Sequence, residues 1–174
     1  MTLVKVIEQD KSKISIVLTF RDGNDTISIN LLHFFIESKL TITNNTISGN
    51  NASRGGGIYC YTADSSPAII NSVISGNTAN DGGGICCVRS SSPSIINNTV
   101  SGNIANSGGG IYCEESSSPE VKNTILWGNS PPEIYFNAHA GFNTITISYS
   151  DVQGGEDGIV TNGNGTVNWG DGNI

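Results

Sequence analysis

The sequence is poor in charged residues, and the basic ones are the scarcest where the chain is most regular. Charged side chains make up 13% of the 174 residues, and the formal net charge is −7. Residues 41–174 contain ten acidic residues but only three basic ones, Arg54, Arg89 and Lys122. Nucleic acid is bound by basic stripes, and anionic membrane surfaces attract basic clusters. We therefore expect neither as a partner of this chain.

Long apolar runs, leader-like segments and histidines are scarce as well. No segment approaches the roughly 18 apolar residues of a membrane span, so no membrane insertion is expected. Residues 1–13 are too charged for a signal peptide, and the apolar stretch 14–20 lacks a cleavage site. The two histidines, His33 and His139, stand far apart in sequence. No Ser–His–Asp arrangement can be inferred from them.

One seven-residue motif, by contrast, is repeated along the chain. Asn-Asn-Thr-Ile-Ser-Gly-Asn at residues 44–50 recurs with small changes at 71–77, 97–103 and 123–129. A Gly-Gly-Gly-Ile motif precedes a cysteine three times, and Ser-Pro returns with the same spacing at Pro67, Pro93 and Pro119. All three markers recur at intervals of about 26 residues, which indicates one structural unit copied in tandem.

The composition of this unit favours strands and turns. Gly, Ser, Asn and Thr are poor residues for helix interiors, and the regular leucines of leucine-rich repeats are absent. Short alternating apolar stretches are separated by Gly, Asn and Pro. We predict an all-β solenoid, a parallel β-helix of about five coils with three short strands per coil.

Alternation predicts which side chains point into this solenoid. Each inward residue should stack on its counterpart one coil earlier. Ile58, Ile85 and Ile111 form one such predicted column, and Cys60, Cys87 and Cys113 form another. Two further predicted columns are Ile42, Ile69, Ile95, Val121 and Ile47, Ile74, Val100, Leu126. Tyr59, Cys86 and Tyr112 are then predicted to point outwards, with Cys86 exposed.

Asparagine recurs at two predicted corners of each coil. Asn50, Asn77, Asn103 and Asn129 form one set. Asn44, Asn71, Asn97 and Asn123 form the other. Asn tolerates left-handed backbone, and stacked Asn amides form hydrogen-bonded ladders. We predict a structural role for both sets, with the ladder in the second. The glycine triplets leave room for tight corners with positive φ.

The chain divides into three predicted parts. Residues 1–43 form an irregular N-terminal cap and imperfect first coil, with predicted strands at 3–7, 14–20 and 26–36. The competing interpretation of residues 28–40 is a helix that caps the stack. Residues 44–155 form the repeats; a fifth coil covers 133–155, where Ile134 and Phe136 take the inward places of Ile111 and Cys113. Residues 156–174 form a tail with a short strand at 166–169. Its end without an evident cap suggests part of a larger chain.

The cysteines do not suggest a metal site. Cys60, Cys87 and Cys113 occupy one position of successive coils, while no C-x-x-C pair is present. Stacked neighbours would be close enough for a disulfide, but the parallel register need not allow its torsion. We expect a column of free thiols packed as small apolar groups.

Aromatic side chains on the outward faces are the candidate ligand-binding surface. Tyr59, Tyr112 and Tyr135 fall in one outward column, and Trp127 replaces the serines of another. Exposed aromatics on a flat sheet can stack on sugar rings, which suggests a carbohydrate platform. The competing interpretation is that these residues only reflect high β propensity.

The charged residues give little support for catalysis. Arg54 with Asp81, and Arg89 with Glu115, should form surface ion pairs between neighbouring coils. The acids in reach of each other are Asp22 with Asp25, and Asp151 with Glu156 and Asp157. The second group could hold calcium or supply the catalytic acids of a carbohydrate-active enzyme. The simpler interpretation of both groups is an ordinary acidic turn. No cofactor is predicted.

The Gly-Gly-Gly-Ile and Ile-Ser-Gly-Asn motifs, with Leu126-Trp127-Gly128-Asn129 as a variant, resemble right-handed parallel β-helix repeat proteins. They are similar to the repeats of polymorphic outer membrane proteins over residues 41–155. This resemblance implies a secreted or cell-surface, often adhesive, region. We expect a glycan or a host or cell-surface protein as its partner. We expect a non-enzymatic module for adhesion, ligand binding or spacing; the alternative is a polysaccharide lyase or hydrolase. Ice binding is disfavoured because Thr46, Val73, Thr99 and Ile125 differ in type.

Overall fold

The chain forms a β-solenoid, as the repeats predict. The computed structural model describes residues 5–8, 14–17, 41–63, 65–130, 132–138 and 141–174. From Thr41 onwards, every strand in the described ranges pairs in parallel with a strand of a neighbouring coil. About five coils of roughly 26 residues are stacked in this way.

From Thr41 onwards, the described strands lie in four sheets that run along the stack. They are called sheets I to IV in the order in which the chain first enters them. Sheet I contains Thr41–Thr43, Ala68–Ile70, Ser94–Ile96, Glu120–Lys122, Asn143–Ser148 and Gly165–Trp169. Sheet II contains Thr46–Ser48, Val73–Ser75, Thr99–Ser101, Ile125–Trp127 and Asp151–Val152. Sheet III contains Thr78–Asp81 and Ile104–Ser107. Sheet IV contains Ile58–Cys60, Ile85–Cys87, Ile111–Cys113, Ile134–Phe136 and Ile159–Val160.

Sheet III is a difference from the prediction of three strands per coil. Its strands read Thr-Ala-Asn-Asp and Ile-Ala-Asn-Ser, with only an alanine facing inwards. A single small apolar residue gives almost no periodic signal, so the sequence did not distinguish this segment from a turn.

The predicted interior columns are confirmed. Ile47, Ile74, Val100 and Leu126 lie in register and are fully buried. The column of Ile42 continues through Ile69, Ile95 and Val121 to Ile147. Ile134 and Phe136 pair with Ile111 and Cys113, as predicted. Apolar side chains therefore stack on apolar side chains along the core, which removes their surface from water.

The three stacked cysteines are free thiols, as expected. Cys60, Cys87 and Cys113 are each at most 1% exposed, and no disulfide joins them. The hydrogen bond with Cys87, followed by burial, raises the pKa of the Cys60 thiol. A buried thiol that stays protonated packs as a small apolar group.

The corners between sheets I and II have the left-handed backbone predicted for asparagine. Asn44, Asn71, Asn97 and Asn123 have φ values of 58°, 50°, 56° and 49°. The predicted ladder is not formed by these residues, whose side chains are exposed. It lies one corner further along the chain.

The ladder runs between sheets II and III through Asn50, Asn77, Asn103 and Asn129. The Nδ2 of Asn77 donates to Oδ1 of Asn103 at 2.9 Å, and Asn103 donates likewise to Asn129 at 2.8 Å. The remaining Nδ2 hydrogen of each donates to a backbone carbonyl one coil earlier, such as Ile74 O at 2.9 Å. The buried amides of Asn77, Asn103 and Asn129 are therefore satisfied on both sides, as the interior requires.

A second ladder, which the sequence analysis did not predict, lies between sheets I and II. It consists of Asn45, Ser72, Asn98, Thr124, Ser150 and Asn173. A side-chain oxygen of each residue accepts the backbone N–H of the one before it, as Asn98 Oδ1 does from Ser72 N at 2.9 Å. Ser, Thr and Asn can share this column because only an acceptor oxygen is needed.

Glu133 terminates the asparagine ladder. Its Oε1 accepts from Asn129 N at 3.0 Å, and its Oε2 accepts from Asn129 Nδ2 at 2.6 Å. The side chain is 5% exposed. Burial raises the pKa of Glu133, although the hydrogen bonds from Asn129 and Gly128 oppose this.

We expect Glu133→Gln to destabilise the protein by about 1–3 kcal/mol. Glutamine has one acceptor oxygen where glutamate has two, so one N–H of Asn129 would lose its partner. The wild-type carboxyl has a folded pKa above its unfolded value of about 4.3. Its contribution is therefore fully present below the unfolded pKa and is lost as the pH rises through the folded pKa. In urea unfolding, the stability gap between wild type and Glu133→Gln should narrow as the pH rises. The exposed Glu156→Gln is the control, and a gap that widens with pH would contradict the assignment.

The two ends of the chain differ from the predicted outline in detail. Strands were predicted at 3–7 and 14–20; Lys5–Glu8 and Ile14–Val17 form an antiparallel pair. The choice between strand and helix over 28–40, and the Asp22–Asp25 turn, lie outside the described residues. Residues 156–174 contain two strands rather than one, Ile159–Val160 and Gly165–Trp169, which extend sheets IV and I.

Candidate functional site

The tyrosine column lies on the outer side of sheet IV. Tyr59, Cys86, Tyr112 and Tyr135 stand in register on successive coils, as predicted. The rings of Tyr112 and Tyr135 are stacked, with their centroids 5.9 Å apart and an interplanar angle of 10°. The prediction that this column is exposed is wrong at its centre: Cys86 and Tyr112 are 0% and 1% exposed. Tyr59 and Tyr135 are half-buried.

The column is covered because the corner before sheet IV is concave on its outer side. The first glycine of each triplet has positive φ, as at Gly82 with 66°. A Cβ on Gly82 would lie 2.7 Å from the Cβ of Cys86, so the incoming chain lies against the outer face of sheet IV. Tyr61 and Val88 complete a small second core there.

Arg54 links three coils across this concave face. Its Nε lies 3.2 Å from Oδ2 of Asp81, and its Nη1 lies 2.9 Å from Oε2 of Glu114. The guanidinium carbon also lies 5.9 Å from the centre of the Tyr112 ring. The predicted Arg54–Asp81 pair is confirmed, and so is Arg89–Glu115 at 3.3 Å.

Glu114 and Asn137 belong to this network but were missed from the sequence. The side-chain amide of Asn137 donates to the Tyr112 hydroxyl and, at 3.0 Å, to Oε1 of Glu114. Both residues directly follow a sheet IV strand. Aligning the residue after each sheet IV strand would have revealed that a carboxylate and an amide become neighbours there.

The ionisation of this cluster is unsuited to proton transfer near neutral pH. Burial raises the pKa of Tyr112, against the hydrogen bond from Asn137. Burial likewise raises the pKa values of Tyr59 and of the Cys86 thiol. Burial would lower the pKa of Arg54, but the hydrogen bond to Tyr59 and the carboxylates of Glu114 and Asp81 outweigh it and raise the pKa. The phenols and the thiol stay neutral, and Arg54 stays charged.

Trp127 is on a different face from the tyrosines. It projects from sheet II in register with Ser101 and is 51% exposed. The four candidate aromatics therefore do not form one platform. Of the four, only Trp127 is largely exposed, as the sequence predicted for the whole set.

The candidate acids lie at the C-terminal end of the stack. Asp151 pairs in register with Ile125 at the end of sheet II and is half-buried. Glu156 and Asp157 are exposed in the 3-10 helix Gly155–Gly158. Among the described residues, no group of three or more His, Cys, Asp or Glu side chains could hold a metal ion. In the same part of the chain, no helix has the length and apolarity needed to cross a membrane.

Comparison with known proteins identifies the architecture. A family described as the right-handed beta helix region matches residues 13–173, nearly the whole chain. No curated protein and no solved structure matches the sequence. The matched range includes all four sheets and both polar ladders described above. The chain belongs to the right-handed β-helix family.

Proposed function

We propose that this β-helix is a non-enzymatic module of a secreted or cell-surface protein, serving as a rigid spacer that carries a ligand-binding face. The observation that carries the proposal is the pairing of charges beside the tyrosine column. Arg54 is engaged by Asp81 and Glu114 together, and Glu114 also accepts from Asn137. Groups held in this way stabilise the stack and are not poised for acid–base chemistry.

The interior supports the spacer role. Apolar columns and two polar ladders connect each coil to the next, so bending the stack would break buried contacts on every layer. At about 4.8 Å per coil, five coils extend roughly 24 Å. A solenoid of this kind holds its outer faces at fixed spacing, which suits a binding partner such as a glycan or a surface protein.

Assays for polysaccharide cleavage test the proposal. The intact chain is incubated with neutral and uronate polysaccharides, with and without calcium, and reducing ends and unsaturated uronate products are measured. We expect no product above the level of a buffer control. The alternative function, a lyase or hydrolase using Asp151, Glu156 and Asp157, requires product release that Asp151→Ala abolishes. Such a result would overturn the proposal.

A further inference from the structure

Three large apolar side chains are exposed around the corner between sheets II and III. They are Ile104 at 54%, Ile125 at 44% and Trp127 at 51%. Ile125 and Trp127 are alternate residues of one strand, so both point outwards, while Leu126 between them is fully buried. Leu126 fills the core at this level, so the exposed indole is not needed to complete it. Exposed apolar groups that the fold does not need are typical of binding surfaces.

Trp127 stands where the preceding coils have serine. Ser48, Ser75 and Ser101 form the column that leads up to it. On the side of the next coil, Asp151 lies in register with Ile125. Gln153 is fixed there by accepting from Gly128 N at 2.7 Å. The surface of Ile125 and Trp127 is thus bordered by the serine column on one side, and by Asp151 beside Ile125 and Gln153 beside Gly128 on the other, with strands about 4.8 Å apart.

This combination matches the chemistry of a sugar ring. The C–H face of a pyranose packs on a flat aromatic ring, while its equatorial hydroxyls need hydrogen-bonding groups around the ring's edge. Trp has a large apolar face together with a polar N–H, which suits such a mixed surface. A few placed polar groups beside an apolar contact are the usual source of orientation in small-molecule sites.

The charge around Trp127 restricts which sugars fit. Asp151 is the acid placed beside this surface by its register with Ile125, and Glu156, Asp157 and Asp171 are exposed later in the chain. After Lys122 the sequence has no Lys or Arg. Lys122 itself lies on sheet I, with its ammonium 5.9 Å from the centre of the Tyr149 ring. Uronate or sulfated sugars would meet uncompensated negative charge here.

From these observations we propose that the surface formed by Ile125, Trp127 and the adjoining serine column binds an uncharged oligosaccharide, stacked on the Trp127 indole. This proposal rests on the proposed function, because it names the ligand class of the binding face. The oligosaccharide proposal can fail while the non-enzymatic function stands, because the first is tested by binding and the second by cleavage.

The test is a calorimetric titration of the intact chain with cellohexaose, chitohexaose and hexagalacturonate, three oligosaccharides of equal length. We expect one or both uncharged hexamers to bind, and hexagalacturonate to bind at least about tenfold more weakly. Trp127→Ser, which restores the residue of the three preceding coils, should weaken binding about tenfold or more, a change typical of losing one stacked ring.

Phe142→Ser is the matched control, because Phe142 is an equally exposed aromatic outside sheet II, at 60%. It should leave binding unchanged, and circular dichroism should show that both variants keep the β-helix. The proposal is overturned if neither uncharged hexamer binds, if Trp127→Ser binds as tightly as wild type, or if hexagalacturonate binds equally well. Cleavage of a hexamer would instead contradict the non-enzymatic function.

Discussion

Asn103→Ala is expected to lower the free energy of unfolding by about 3–5 kcal/mol, because it removes the middle of a buried hydrogen-bond ladder. Asn103 is 0% exposed. Its Oδ1 accepts from both Asn77 N and Asn77 Nδ2, each at 2.9 Å. Its Nδ2 donates to Ile74 O and to Asn129 Oδ1. Alanine would remove these partners from the buried groups of Asn77 and Ile74 on the preceding coil and of Asn129 on the following coil.

The measurement is the urea unfolding midpoint followed by circular dichroism, with Asn106→Ala as the control. Asn106 is on the same coil but exposed, with a single side-chain hydrogen bond of 3.4 Å to Asn80. Its replacement should change stability by no more than about 0.5 kcal/mol. Equal midpoints for the two variants would show that the ladder contributes little to stability.

Asn103→Asp provides a second, sharper variant. Aspartate keeps the acceptor oxygen for Asn77 but loses both donors, so its second oxygen faces the carbonyl oxygens of Ile74 and Asn129. Burial and these acceptors should raise the pKa of the new carboxyl. Its folded pKa would then exceed its unfolded value, so stability should be highest in acid and fall as the pH rises.

The contrast between the two asparagine columns shows how far the sequence alone could go. Both columns repeat with the same period, so periodicity predicted that both sit at corners. It did not determine which one points inwards, because that depends on the backbone of the residue before it. Glycine with positive φ, such as Gly102 at 62°, precedes the inward Asn103. At the other corner the asparagine itself takes the left-handed conformation and its side chain faces solvent.

The interior columns were predictable for a simpler reason. Strand alternation is a property of the backbone, so one correctly placed inward residue determines the others in its strand. Copies one period apart must then stack, as Ile58 and Ile85 do. The outer faces lack such a constraint. Whether Tyr112 is exposed depends on the angle of the glycine corner beside it, and no period in the sequence records that angle.

The candidate site was predicted least well because its members come from unrelated positions of the repeat. Arg54 precedes a glycine triplet, whereas Glu114 follows a sheet IV strand two coils later. Their contact needs both the coil register and the concave corner. Trp127 could be found from sequence because it breaks a column of serines at a position that alternation already placed outside.

Gly84→Ala is expected to lower the free energy of unfolding by about 3 kcal/mol or more, through crowding between coils. This loss should be at least as large as that of Asn103→Ala. A Cβ at Gly84 would lie 2.7 Å from Gly110 O and 3.0 Å from Val100 Cγ1. The same carbonyl accepts from Ile85 N at 2.9 Å, so moving it away would break a hydrogen bond between coils. Backbone cannot yield here as a flexible side chain would, and the neighbouring coils would have to separate.

Gly102→Ala separates this crowding from the general strain of replacing glycine. Gly102 has φ of 62°, but a Cβ there would meet no atom within 4 Å. Its alanine variant should lose only about 1–2 kcal/mol, the strain of a left-handed residue. Gly84 has no positive φ, so any excess loss in Gly84→Ala must come from the contact with the next coil. If Gly84→Ala is recovered only as insoluble protein while Gly102→Ala stays soluble, the ranking is supported. If Gly84→Ala unfolds at the same urea concentration as Gly102→Ala or a higher one, the coils are less tightly stacked at this corner than the carbonyl distance requires.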